Sequence, residues 1–164
     1  MAWILEHKDG TILKAEFFPL TRNDIPKISS SIGWERNFSW KQYLSAGSPY
    51  KAFKLQDESG TIHGCIAYVK DYKNLFVEVA LVEKSPMHRV KDDYVNIGKV
   101  LFAHAYKESF ESDFDGYVVL TPKSKLITYY EEVYRATFIG KINNYPRYLL
   151  DPAIGKSLIM LYFR

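Results

Sequence analysis

The chain carries a single cysteine, Cys65, in 164 residues, which excludes an intramolecular disulfide. That thiol falls in the apolar run 65–69, where a buried, inert side chain is expected rather than a nucleophile. No apolar run approaches the roughly 20 residues that a membrane-spanning helix needs. The opening MAWILEHKDG lacks the basic-then-apolar layout of a signal peptide. Together these absences predict a soluble, cytoplasmic protein without a membrane partner. Neither sign of charge dominates: 22 Lys+Arg stand against 19 Asp+Glu, interspersed along the chain, for a net charge of +3. Nucleic-acid binders concentrate basic residues on one face, so this balance argues against such a partner. Four histidines, His7, His63, His88 and His104, are scattered without ligand spacing, and no metal is expected. Nucleophile-elbow, Walker and Cys–His patterns are missing as well.

What remains suits one globular domain spanning residues 1–164. Hydrophobic residues make up 47% and charged residues 25%, typical of a packed core with a solvated surface. Aromatics reach 16%, led by 13 tyrosines. A tyrosine joins an apolar body to a polar tip, so these side chains can fill a core, line a cleft or face a partner.

Hydrophobic periodicity orders the elements. Residues 3–6 and 12–18 flank a polar turn and read as a short hairpin or one opening strand. Asn23 is a plausible N-cap with Pro26 in the first turn, for a short helix reaching about residue 30. Phe38, Tyr43 and Leu44 space like a second short helix. Runs 51–57, 61–71 and 75–83 form an antiparallel meander, the third apolar enough for a central strand buried on both faces. The longest helix is expected over 94–111, with Lys99, Ala103, Lys107 and Glu111 on its solvated stripe. A strand follows at 115–121, then a helix capped by Thr121-Pro122 and carrying Leu126, Tyr130, Val133 and Tyr134 on one face. Closing strands lie around Asn143-Asn144, and Asp151-Pro152 starts a terminal helix. The result is an α+β fold in α/β/α layers, a mixed, mostly antiparallel central sheet with helices on both faces.

The most informative stretch is residues 93–105, DYVNIGKVLFAHA, lying between two strands. A helix that opens there leaves backbone N–H groups pointing beyond its end, a ready-made anion site. A phosphate-bearing ligand is the first hypothesis from the residues themselves.

This succession of strand, motif, helix, strand and tyrosine-bearing helix resembles the GNAT superfamily of N-acetyltransferases over roughly residues 12–150. In that family Gln/Arg-x-x-Gly-x-Gly/Ala opens the long helix. Here the matching positions are Asp93, Tyr94, Val95, Asn96, Ile97 and Gly98, with Asn96 at the first glycine and Arg89, Lys91 and Lys99 near Asp93. Tyr129-Tyr130-Glu131-Glu132-Val133-Tyr134 is similar to a second family motif, with Tyr130 at its tyrosine. The half running through TPKSKLITYYEEVY to PRYLLD is also similar to a bacterial subgroup of that superfamily.

The resemblance implies an acetyl-coenzyme A–dependent acyltransferase acting on the primary amine of a small molecule or protein, with homodimers common. The terminal segment 158–163 could supply such an interface or be core. Pyrophosphate would rest on Tyr94, Val95, Asn96, Ile97, Gly98 and Lys99. Pantetheine would run along Leu81, Val82 and Glu83, with a backbone N–H near Val82 polarising the thioester. Tyr130 would be the general acid toward the departing thiolate, with Tyr129 as the neighbouring fallback. Glu78 is the only charged residue within 75–82. An isolated carboxylate there faces solvent, meets a cation or accepts a proton from the amine; Glu83 is the alternative base. The acceptor is expected near residues 30–41, where Trp34, Phe38 and Trp40 accompany Glu35, with Asp24 nearby. A non-catalytic acyl-coenzyme A–binding or protein-interaction module on the same fold is the alternative.

Overall fold

A computed structural model describes residues 1–35, 39–91 and 93–164. Phe38, placed above in a second short helix and in the acceptor region, lies outside the described residues.

Eight strands form one sheet in the order β1-β2-β3-β4-β5-β6-β8-β7. They are β1 (Trp3–Glu6), β2 (Ile12–Pro19), β3 (Lys51–Asp57), β4 (Ile62–Asp71), β5 (Phe76–Lys84), β6 (Val118–Leu120), β7 (Thr137–Ile142) and β8 (Tyr145–Leu150). The first two strands are a hairpin, which settles the opening segment. All neighbours run antiparallel except β5 and β6, which run parallel. The parallel step follows from the crossover between them, which contains the longest helix.

The helices are α1 (Met87–Val90), α2 (Ile97–Glu111), α3 (Ile127–Tyr134) and α4 (Pro152–Tyr162). Helices α2 and α4 cover one face of the sheet together. There Leu5, Leu55, Ile66, Val77, Leu101 and Leu150 are fully buried. The other face carries three 3-10 turns, Arg22–Ile28, Ser30–Ile32 and Trp40–Leu44, where short α-helices were expected. Ile28 and Trp40 of these turns, with Trp34 from the segment between them, pack on Cys65 and Ala67 of β4. Burial pushes the Cys65 thiol up, leaving it inert.

Three further boundaries differ from the sequence expectation. Helix α2 starts at Ile97, not at 94, because residues 93–96 are tied to β1 instead. The stripe on α2 is interrupted at Ala103, which is fully buried, on a helix against which α4 packs. That close approach depends on Gly155, where a Cβ would sit 2.1 Å from the Tyr106 ring. Thr121-Pro122 does not cap a helix either. The chain stays extended there and enters α3 through a 3-10 turn, Ser124–Leu126.

Other signals mapped directly. Asn143 and Asn144 both take positive φ, as a tight hairpin turn requires. The Asp151 side chain accepts from the Ala153 N–H at 2.8 Å, capping α4 with Pro152 in its first turn. His104 is buried within α2, stacked on Phe17 at 4.1 Å. Burial holds its imidazole down at about 3, so it is neutral. Among the described residues, no helix is long and apolar enough to cross a membrane.

Candidate functional site

The site arises from a mismatch in strand length. Strand β5 pairs with β6 only through Val77–Val118, Glu78–Val119 and Val79–Leu120. Strand β6 stops at Leu120 while β5 runs on to Lys84. Just past the last shared pair the β4–β5 register slips, since Tyr68 faces Val79 while Ala67 faces Leu81. Ala80 is therefore a bulge, which bends the strand and swaps the faces its side chains point to. Leu81 now turns to the Trp34–Trp40 side and Val82 toward α2.

Between the freed edge of β5 and residues 121–126 lies a groove of about 380 Å3, lined by Ala80 to Lys84, Thr121, Leu126 and Tyr130. A second hollow of about 540 Å3 continues it to the start of α2, lined by Tyr94, Val95, Ile97, Gly98 and Lys99. The two share Val82, Lys84, Phe102, Leu126 and Tyr130, so they form one bent cleft with Tyr130 at the bend.

At the α2 end, the first hydrogen bond of the helix runs from the Val100 N–H to the Asn96 carbonyl at 2.9 Å. The N–H groups of Ile97, Gly98 and Lys99 thus have no intrahelical partner, and among the described residues no side chain caps them. A Cβ on Gly98 would meet no atom of the described residues within 4 Å. Its bare backbone faces the hollow. Lys8, Lys84 and Lys99 line the same space. Free amides, an open glycine and three cations fit a diphosphate.

The structure separates the expected site residues into three groups. Leu81, Val82, Glu83, Tyr94, Val95, Ile97, Gly98, Lys99 and Tyr130 all line the cleft. Asn96 does not. It is buried, its Oδ1 accepting from the Glu6 N–H and its Nδ2 donating to the Ile4 carbonyl, both at 2.9 Å. Its φ is −133°, so no left-handed conformation is needed at this position. Asn96 fastens the loop to β1, a role that a glycine could not fill. Asp93 lies outside the cleft lining too. Its carbonyl accepts from the Lys8 N–H at 2.8 Å, and its carboxylate stands 4.0 Å from His7.

Glu78 is the second correction. It precedes the bulge, where β5 is still paired on both edges, and does not line the cleft. Arg147 of β8 donates to it at 2.6 Å. The cation alternative is the one realised. Of the two base candidates, Glu83 is the one that lines the cleft, and it is 5% exposed. It accepts from the Glu35 N–H at 2.6 Å and from the Trp40 Nε1–H at 2.9 Å. Glu35 lines the cleft beside it. Asp24, counted above among the acceptor-side anions, is instead buried against Lys54 at 2.8 Å.

Tyr130 packs edge-on against Phe102 and Tyr129. Burial, with Tyr129 beside it, pushes its phenol up to about 12. Lys8 and Lys84 were missed in the sequence because they come from the β1–β2 turn and the tail of β5, far from the motif. Arg89 lines the β5 end of the cleft and donates to the Gly33 carbonyl, whereas Lys91 lines neither hollow.

No protein-family model matches this chain, and no curated protein matches it in sequence. Solved structures match it in shape. A spermidine/spermine N-acetyltransferase, SpeG from Vibrio cholerae, is 15% identical with a TM-score of 0.60, covering 85% of this chain and 93% of its own. A GNAT-family acetyltransferase from Staphylococcus aureus is 14% identical with a TM-score of 0.57, covering 83% and 98%. The chain therefore has the fold of the GNAT superfamily of acyltransferases.

Proposed function

We propose that this protein is an acetyl-coenzyme A–dependent N-acyltransferase acting on a primary amine. The observation that carries the reading is the bulge at Ala80 followed by the unpaired edge of β5, which leads straight to the open amides of α2. Pantetheine adds to that edge as a strand would. The diphosphate rests on the N–H groups of Ile97 to Lys99, with Lys8, Lys84 and Lys99 offsetting its charge.

The thioester then lies at the bend, beside Tyr130 and residues 80–82. The amine nitrogen attacks the thioester carbonyl carbon, and backbone N–H groups of the bulged segment hold the resulting oxyanion. As the C–S bond breaks, the electron pair leaves on sulfur. Glu83, directly or through water, takes the proton that the nitrogen sheds. Proton transfer from a phenol near 12 to a thiolate whose ordinary pKa is about 8.5 runs uphill. Tyr130 instead donates a hydrogen bond to the departing sulfur, which leaves the site as a thiol after protonation through water.

Tyr130→Phe is accordingly expected to lower kcat by about tenfold to a hundredfold, with coenzyme affinity within about twofold of wild type. Steady-state kinetics at saturating acetyl-coenzyme A check this.

The reading is tested by thiol release from acetyl-coenzyme A over a panel of amines. Spermidine and spermine belong in it because the SpeG relative is named for them; lysine-bearing peptides and aminoglycosides complete it. Amine-dependent thiol release is expected. A thermal shift with coenzyme A but no release over the whole panel would favour the binding-module alternative. No shift at millimolar coenzyme A would overturn both.

A further inference from the structure

Among the described residues, Lys8, Lys84, Lys99 and Lys123 line the cleft, and they do not share it equally. Lys8 and Lys99 border only the phosphate hollow, and Lys123 borders only the groove beside β5. Lys84 borders both. Of the other residues common to the two hollows, Val82, Phe102 and Leu126 have apolar side chains. Tyr130 has a phenol that burial pushes up to about 12. Lys84 thus brings the one amine found among the described residues that form the bend.

The strand explains the reach. Lys84 ends β5, opposite Gly64 and two residues beyond Val82. Side chains two apart on a strand share a face, so Lys84 rises on the same side as Val82, toward α2. The way back to residue 82 is about 6.6 Å along the strand, which the flexible four-carbon stem of a lysine covers. Lys54, Lys70 and Lys107 are held by Asp24, Glu108 and Glu111. Lys84 is exposed and has no such carboxylate partner among the described residues. Its amine can turn to the diphosphate or back to the thioester.

We infer that Lys84 is an acyl acceptor in its own right, and that its acylation restrains the enzyme when external amines are scarce. This rests on the coenzyme reading above. The neutral Nζ attacks the thioester carbonyl carbon and forms the C–N bond. The C–S bond breaks, and its electron pair leaves on sulfur. The nitrogen loses a proton to water and the sulfur gains one from water, so the products are acetyl-lysine and free coenzyme A. The new amide bears no charge. One of the cations lining the phosphate hollow is then gone, and the next coenzyme is held less tightly. An external amine competes with Lys84 for the same thioester, so a good acceptor keeps the enzyme unmodified.

The test is mass spectrometry of the full chain, intact and as peptides, after incubation with acetyl-coenzyme A and no amine. One acetyl group should appear on Lys84 at least about tenfold faster than on any other lysine, the advantage of an amine held at the thioester. The rate per molecule should not change with protein concentration, as attack within one chain requires. Lys84→Arg keeps the cation and should gain no acetyl group at this position. Gly98→Leu, whose side chain would bar the diphosphate, should leave Lys84 unmodified. Lys84→Gln mimics the uncharged amide and should bind coenzyme A about fivefold more weakly than Lys84→Arg, the effect of one close charge in water. A first acetyl group on Lys8, Lys99 or Lys123, or labelling spread evenly over exposed lysines such as Lys14 and Lys141, would overturn the inference. So would a rate per molecule that grows with protein concentration. An unmodified chain whose melting temperature still rises with coenzyme A would overturn it too, while leaving the coenzyme reading intact. Equal affinities of the two Lys84 variants would overturn the restraint. No melting shift at millimolar coenzyme A would overturn the inference together with the reading it rests on.

Discussion

Gly98→Leu is expected to leave the protein folded and slightly more stable while lowering its affinity for coenzyme A by about a hundredfold or more. The two effects have separate causes. The glycine is in the first turn of α2 without a positive φ, so nothing in the backbone requires it. A Cβ there would meet no atom of the described residues within 4 Å, and leucine is the better helix former by up to about 0.8 kcal/mol. What the leucine does meet is the ligand. Its side chain projects into the hollow lined by Lys8, Lys84 and Lys99. It would stand where a phosphate must approach the free amides, and close backbone approach is what glycine permits in phosphate-binding turns. Thermal melts with and without millimolar coenzyme A read both effects in one experiment. A variant that melts at or above wild type but no longer responds to the ligand is the expected outcome. A retained ligand shift would place the diphosphate elsewhere.

Glu83→Gln is expected to lower kcat by about 10²- to 10⁴-fold, the range for loss of a general base, with coenzyme A binding retained. It should also cost about 1–3 kcal/mol of stability. Both carboxylate oxygens accept hydrogen bonds, from the Glu35 N–H and the Trp40 indole. A glutamine turns one of these oxygens into a donor facing a donor. Trp40→Phe separates the structural share, because it removes one of those bonds and keeps the carboxylate; its kcat should fall far less. Glu78→Gln is the contrasting substitution. Glu78 is bound to Arg147 away from the cleft, and turnover there should stay within about twofold of wild type. Were Glu78→Gln the damaging change and Glu83→Gln the silent one, the assignment of the base would be reversed.

The fold was legible wherever a local pattern had one physical meaning. Alternation at 51–57, the Asn143-Asn144 turn and the Asp151-Pro152 cap each fixed an element by itself. Of the cleft, Gly98 was legible at the start of the long helix, while residues 81–83 came from the family resemblance alone. What could not be read were consequences of pairing over long distances. Asn96 looked like a substitute for a flexible glycine, yet its amide is occupied by Ile4 and Glu6, some 90 residues earlier in the chain. Glu78 and Glu83 lie on the same strand, and only the bulge at Ala80 decides which of them reaches the cleft. Ala103 looked solvated because nothing in α2 itself reveals that Gly155 lets α4 pack against that helix. Lys8 entered the site by the same route, since the β1–β2 turn reaches Asp93 only once the sheet is assembled.

The central claim is that an acyl-coenzyme A lies along the freed edge of β5 with its diphosphate on α2. Amide ¹H–¹⁵N spectra of the full chain, titrated with coenzyme A, test it most directly. The largest shifts should fall on Ala80 to Glu83 and on Ile97 to Lys99, with Glu78 and Arg147 little moved. Saturating shifts confined to another surface, such as the β7–β8 hairpin, or none at millimolar ligand, would contradict the account.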